Sequence, residues 1–155
     1  MGLRITNAAD YAIRAMIHMA CLPEEGVALR TDIAAANKIP PSFSAKILRN
    51  LTKAGLLRSA RGVHGGFTLA RSTTDISLLD IVEAIEGRLG LVDCAKDPCS
   101  CDLADECPAQ PVWLNVQTQM ADILRSATLE DLVSAPRRKR TTLVRVEASS
   151  PRVKR

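Results

Sequence analysis

Apolar residues recur at helical spacing almost from the start of the chain. Ala9, Ile13, Met16, Ile17 and Ala20 predict a helix over 7–21, with Asn7 placed to cap it. Pro23, Glu24, Glu25 and Gly26 break the pattern, and residues 29–37 predict a short second helix. Ile39, Pro40 and Pro41 separate it from a third helix running to about Ala54. Pro41 suits the first helical turn, where its missing N–H costs nothing. Phe43, Ile47, Leu48 and Leu51 share one face of that helix, and Gly55 stands where a C-terminal cap belongs.

The period then shortens. Residues 56–60 and 67–70 read as two strands around the tip Arg61-Gly62-Val63-His64-Gly65-Gly66. Residues 77–86 return to helical spacing, with Leu78, Ile81, Val82 and Ile85 on the apolar side and Gly87 at the end. A longer helix follows over 111–126, striped by Val112, Val116, Gln119, Met120, Ile123 and Leu124, and Thr128 caps a last short one. The expected fold class is mainly α: a winged helix-turn-helix with a two-stranded wing and a C-terminal dimerisation helix. The expected divisions are 1–87 for the winged domain, 88–110 for a cysteine-rich loop, 111–134 for the dimerisation and terminal helices, and 135–155 for a disordered basic tail.

Charge sharpens this picture. Residues 1–71 carry 10 basic and 4 acidic side chains, residues 72–135 carry 3 and 12, and residues 136–155 carry 8 and 1. An acidic middle repels phosphate, so any nucleic acid should meet the first half. The third helix is the one expected in a major groove, with Ser42, Phe43, Ser44, Lys46 and Arg49 near its exposed start and face. In the wing, Arg58, Arg61 and His64 surround glycines that include Gly65. Glycine allows close backbone approach to phosphate, and an arginine there can enter a narrow minor groove. The helix over 111–126 has no evident partner within the chain. A two-fold copy is the economical one, because dimers match palindromic operators in double-stranded DNA.

Four of the five cysteines lie within fourteen residues, Cys94, Cys99, Cys101 and Cys107, spaced C-x4-C-x-C-x5-C. Thiolates are soft, strong metal ligands. No apolar run reaches the ~18 residues of a membrane span, and the N-terminus lacks a signal-peptide core, so a cytoplasmic protein is expected. In a reducing compartment such a cluster points to a metal or iron–sulfur centre rather than disulfides. Structural zinc is the alternative, although zinc ribbons favour paired C-x2-C knuckles. No nucleotide-binding glycine motif, catalytic triad or metal-histidine set supports an enzyme; His18 and His64 are isolated. His18 and Cys21 read as helix-packing residues.

Four stretches resemble the winged-helix iron–sulfur repressors typified by IscR, NsrR and RirA. They are Asp10-Tyr-Ala-Ile-Arg-Ala-Met, residues 39–57, the wing from Arg58 to Phe67, and Ile76-Ser-Leu-Leu-Asp-Ile-Val-Glu-Ala-Ile-Glu-Gly. The resemblance covers residues 3–134. It implies a homodimeric DNA-binding regulator, a repressor in most settings, in which a cluster gates DNA binding. Arg61 matches the wing arginine. Cys94 and Cys107 match the outer pair of three loop ligands. Cys101 gives the family's x5 gap, and Cys99 stands as an alternate or additional ligand. Gln110 occupies the position of the IscR-type histidine ligand, a departure. Asp10 occupies the position of the NsrR-type aspartate, supplied by the other subunit. That carboxylate either ligates iron or only favours the N-terminus of its helix. Asp10 without a histidine implies a 4Fe-4S rather than a 2Fe-2S cluster, and the implied signals are nitric oxide, iron or cluster supply, or redox stress. Ala45 stands where IscR-type proteins carry a glutamate that affects base choice, so a different operator is implied.

Overall fold

In the computed structural model, which describes residues 5–23, 26–60, 65–92, 94 and 106–135, helix α1 (Asn7–Ala20) occupies the centre. Its cap is Thr6, not the expected Asn7. Thr6 has the extended backbone a cap requires and its hydroxyl accepts from the Ala9 N–H at 3.3 Å, whereas Asn7 is already helical. Ala9, Ala12, Ala15, Met16 and Met19 form its buried face, with Ile13, Ile17 and Ala20 half-buried beside them. The stripe is thus rotated from the expected one, toward the small residues. Cys21, expected to pack, is exposed at the C-terminal cap.

Helix α2 (Arg30–Ala36) buries Ile33 and leads through a tight turn into α3 (Pro41–Lys53), which starts at Pro41 as expected. The buried face of α3 is Ser44, Ile47, Leu48 and Leu51. Phe43, expected on that face, is 40% exposed. Both phasings suit a 3.6-residue period; the inward one places the small Ser44 against the neighbouring helix. Gly55 ends the helix at φ 71°, in the left-handed region that glycine adopts without strain.

Strands β1 (Leu57–Ala60) and β2 (Gly66–Leu69) pair antiparallel, Leu57 opposite Leu69 and Ala60 opposite Gly66. Ala28 extends the ladder, exchanging two hydrogen bonds with Phe67 (3.0 and 2.9 Å). Gly66 makes this possible: a Cβ there would lie 2.6 Å from Val27 Cγ1 and 2.8 Å from the Ala28 carbonyl oxygen.

A 3-10 turn (Thr73–Asp75) leads to α4 (Leu78–Glu86), opened by a capping box. Ser77 accepts from the Asp80 N–H at 3.1 Å, and the Asp80 carboxylate accepts from the Ser77 N–H at 2.9 Å. Leu79, Ile81 and Val82 are buried, and Gly87 ends the helix at φ 78°. Helix α5 (Gln110–Ser126) packs on α4 yet has no buried residue. The chain then turns back. The Leu78 N–H donates to Ala127 O (2.8 Å) and the Leu129 N–H to Ile76 O (2.7 Å), seating α6 (Leu129–Ser134) on the winged core.

Thr128 caps α6 in a second capping box with Asp131, as expected for that residue. The Thr128 hydroxyl, then its backbone N–H, hold the Asp131 carboxyl below the usual carboxylate range. A carboxylate depressed in this way stabilises the fold above its unfolded pKa. That contribution is lost as pH falls through the lower folded value.

Leu129 is fully buried in the same cluster as Ala12, Met16, Leu51 and Ile81. Leu129→Ala is therefore expected to cost about 2–5 kcal/mol in denaturant unfolding. A loss below about 1 kcal/mol would show that α6 is not part of the core.

Candidate functional site

The exposed side of α3 carries Ser42, Lys46 and Arg49, all exposed. Neither cation has an ion-pair partner among the described residues, whose two salt bridges lie elsewhere. Ser44 departs from the expectation: it is 2% exposed, and its hydroxyl donates to Pro41 O at 3.1 Å. It steadies the first turn of α3 and presents no group outward. Phe43 keeps an exposed edge while its ring meets Tyr11 of α1 edge-to-face, with centroids 5.7 Å apart at 67°.

In the wing, Arg58 lies on β1, exposed, and donates to Ala70 O at 3.1 Å. That bond holds its stem along the hairpin. Gly65 is half-buried just before β2. Arg61 and His64 lie outside the described residues. The described elements thus place Ser42, Lys46 and Arg49 on one helix and Arg58 on the hairpin next in sequence.

Asp10 sits in the first turn of α1, half-exposed, and pairs with Arg14 at 2.6 Å. The Arg14 guanidinium carbon lies 5.8 Å from the Tyr11 ring centroid. Asp10, Arg14, Tyr11 and Phe43 therefore run in one chain of contacts from the N-terminal end of α1 to the start of α3. Arg14 and Tyr11 were not singled out from sequence. The i,i+4 spacing of Asp10 and Arg14 was the available signal. Glu86 was also missed: its carboxylate accepts from the Thr6 N–H at 2.9 Å, joining the end of α4 to the cap of α1.

Of the loop cysteines, Cys94 and Cys107 are described; both are free thiols and half-buried. Cys99 and Cys101 lie outside the described residues, and among the described residues no three potential ligands converge. Both ends of the loop are tied to α5. The Leu91 N–H donates to Gln117 Oε1 at 3.3 Å, and the Gln110 N–H to Cys107 O at 3.2 Å. Gln110, where an imidazole was absent from the sequence, begins that helix. The two thiols are soft donors and suit iron, and a half-exposed carboxylate such as Asp10 is open to a ligand from outside its own chain.

The outward side of α5 is apolar. Val112 is 62% and Ile123 69% exposed, and Val116, between them on the same stripe, is also exposed. No described helix is long and apolar enough to cross a membrane.

Comparison with known proteins bears on all three features. The Rrf2 family model, described as an iron-dependent transcriptional regulator, matches residues 5–135. A Mycobacterium tuberculosis protein assigned by name as an HTH-type transcriptional regulator is 38% identical over 133 residues, 84% of this chain and 81% of its own. The solved structure of CymR, the global cysteine regulator of B. subtilis, superposes with a TM-score of 0.69 at 28% identity, covering 86% of this chain and 98% of that one. IscR from T. potens gives 0.67 at 29% identity, covering 86% and 88%.

An exposed i,i+4 pair and a first-turn carboxylate each contribute tenths of a kcal/mol. Asp10→Ala is therefore expected to cost no more than about 1 kcal/mol in thermal unfolding of the metal-free chain. A cost above about 2 kcal/mol would make Asp10 a structural residue.

Proposed function

The chain belongs to the Rrf2 family of helix-turn-helix transcriptional regulators, a DNA-binding and non-enzymatic role, and from that premise we propose that it is a cytoplasmic, homodimeric, iron–sulfur-dependent repressor. The observation that carries this reading is the attachment of the cysteine loop. Its first segment and Cys107 are both hydrogen-bonded to α5, and α5 has an uncovered apolar stripe. A ligand held by the loop thus acts on the helix best suited to meet a second copy.

Cys94, Cys107 and Cys101, with Cys99 as an alternate or additional donor, hold the cluster, and Asp10 of the other protomer completes it. When bound, the cluster supplies iron sites that react with nitric oxide and oxidants. The chain's own residues do the rest. Asp10 leaves Arg14 to reach the loop of the second copy. Arg14 lies over Tyr11, and Tyr11 already packs edge-to-face on Phe43, so the change at Arg14 passes through that contact to the start of α3. Lys46 and Arg49 meet the major groove of a palindromic operator, while Arg58, Arg61, His64 and Gly65 bring the wing to the minor groove. Ser42 lies at the leading turn of α3, as do Phe43 and Ser44; of these, Ser44 supports the turn rather than touching bases. The carboxylate of Asp10, with no histidine in the set, is the basis for a 4Fe-4S rather than a 2Fe-2S centre.

Native mass spectrometry of anaerobically purified protein is expected to show a dimer with cluster mass. Cys107→Ser is expected to lose the cluster, and holo- and apo-protein are expected to differ in affinity for one promoter by tenfold or more. A colourless, zinc-loaded protein with equal affinities in both forms overturns the cluster reading and leaves a zinc-stabilised regulator. Ile123→Glu is expected to shift the protein to monomer in sedimentation, because a carboxylate on that stripe opposes its burial. A dimer of undiminished stability would move the interface off α5.

A further inference from the structure

The turn between α2 and α3 holds a feature that the recognition face leaves unused. Among the described residues, Lys38 is the one non-glycine at positive φ, 52°. Its N–H donates to Ala35 O at 3.3 Å and the next N–H, of Ile39, donates to Ala34 O at 2.9 Å. That pair of bonds is a Schellman motif with Lys38 at the position after the cap, where glycine is the usual residue because it alone has no Cβ to strain. Asparagine is the next most tolerant residue. A lysine there adopts the same turn less readily and adds one thing, an exposed ammonium at the entrance to α3.

That ammonium has a companion. An open groove of about 410 Å³ lies between α2 and the start of α3, lined by Arg30, Thr31, Ala34, Ala35, Lys38 and Pro41 among others. Alanines make its floor shallow, and Arg30 and Lys38 stand at opposite ends of α2, both exposed. Neither is ion-paired among the described residues. The carboxylate nearest in sequence, Asp32, is not part of the lining; it accepts from the Thr31 hydroxyl at 3.2 Å. The groove therefore presents two unneutralised cations beside the helix that reads the major groove. In a helix-turn-helix, the first helix crosses the sugar–phosphate backbone.

We infer that this groove seats the DNA backbone, with Arg30 and Lys38 each holding one phosphate beside the α3 contact. The seven residues of α2 put about 10 Å of helix axis between the ends where Arg30 and Lys38 stand, against an axial charge spacing of about 3.4 Å per strand. In this seat the two cations, at opposite ends of α2, take different phosphates. Thr31 and the alanines set the depth of approach and carry no charge of their own. Contacts of this kind hold the protein in register and are indifferent to base sequence. The inference rests on the DNA-binding role of the family and does not depend on the cluster.

The test uses the full-length protein and a random-sequence duplex about three helical turns long, titrated by fluorescence anisotropy from roughly 50 to 200 mM salt. Lys38→Gly and Arg30→Gln are each expected to lower the slope of log affinity against log salt by about 0.9 per protomer, and the double variant by about 1.8. Over that range, with both protomers of a dimer on the duplex, each variant's affinity falls about tenfold less than the wild type's. Lys38→Gly is expected to melt at the same temperature as the wild type or higher, since glycine fits the turn better; a merely structural lysine would not combine that result with a reduced slope. Unchanged slopes in both variants overturn the inference. A reduced slope in only one overturns the two-phosphate seat. Salt-independent binding by the wild type would overturn the DNA-binding premise itself, which separates failure of the premise from failure of the groove.

Discussion

The alanine face of α1 is the constraint on which the other elements depend. Ala9 and Ala12 are fully buried and Ala15 nearly so. Residues this small let neighbouring backbones come close on several sides, and α1 accordingly touches α2, α3, α4, α6 and β2. Methionines at 16 and 19 fill the irregular space beyond the alanines. The recognition helix, the wing and the element leading to the cysteine loop are thus all referenced to one rod. A larger residue at position 12 would separate all of these together, because a packed core yields by shifting whole elements and not by local compression.

The same rod carries Asp10 on its solvent side, within an ion pair to Arg14, and Tyr11 against Phe43. Its cap is held by Glu86, at the end of the helix that leads into the loop. The helix leading to the cysteine loop and the DNA-reading helix therefore share a support, and no separate linker is needed between them. In this chain the short path from α1 to α3 runs through an aromatic edge contact, which depends on ring geometry more steeply than aliphatic packing does.

Much of this was legible in the amino-acid order wherever a local signal coincides with a local cause. Pro41 at the head of α3, Gly55 and Gly87 at helix ends and Thr128 at the head of α6 all stand where expected, because caps are decided within a few residues. Signals that depend on distant neighbours were harder to read. Periodicity could not choose between Phe43 and Ser44 as the inward residue, since that choice is made by the partner helix. Nothing near Leu129 announces that it returns to the core beside Met16. The cysteine spacing is the basis of the metal chemistry proposed for the loop, and the i,i+4 spacing was the one signal for the ion pair at Asp10, whereas the left-handed Lys38 emerged only from the folded backbone.

Gly66 has a consequence for how this chain can diversify. Val27 and Ala28 crowd the space a side chain would need there, so every substitution at that position forces β2 away from Ala28. The hairpin is therefore pinned near its tip, through Phe67, to the segment that follows α1, and its angle to the body is not an adjustable trait. Lineages that acquire new target sequences must do so by exchanging outward side chains on a frame of fixed pitch, because reorienting the frame would first require losing the join that holds it.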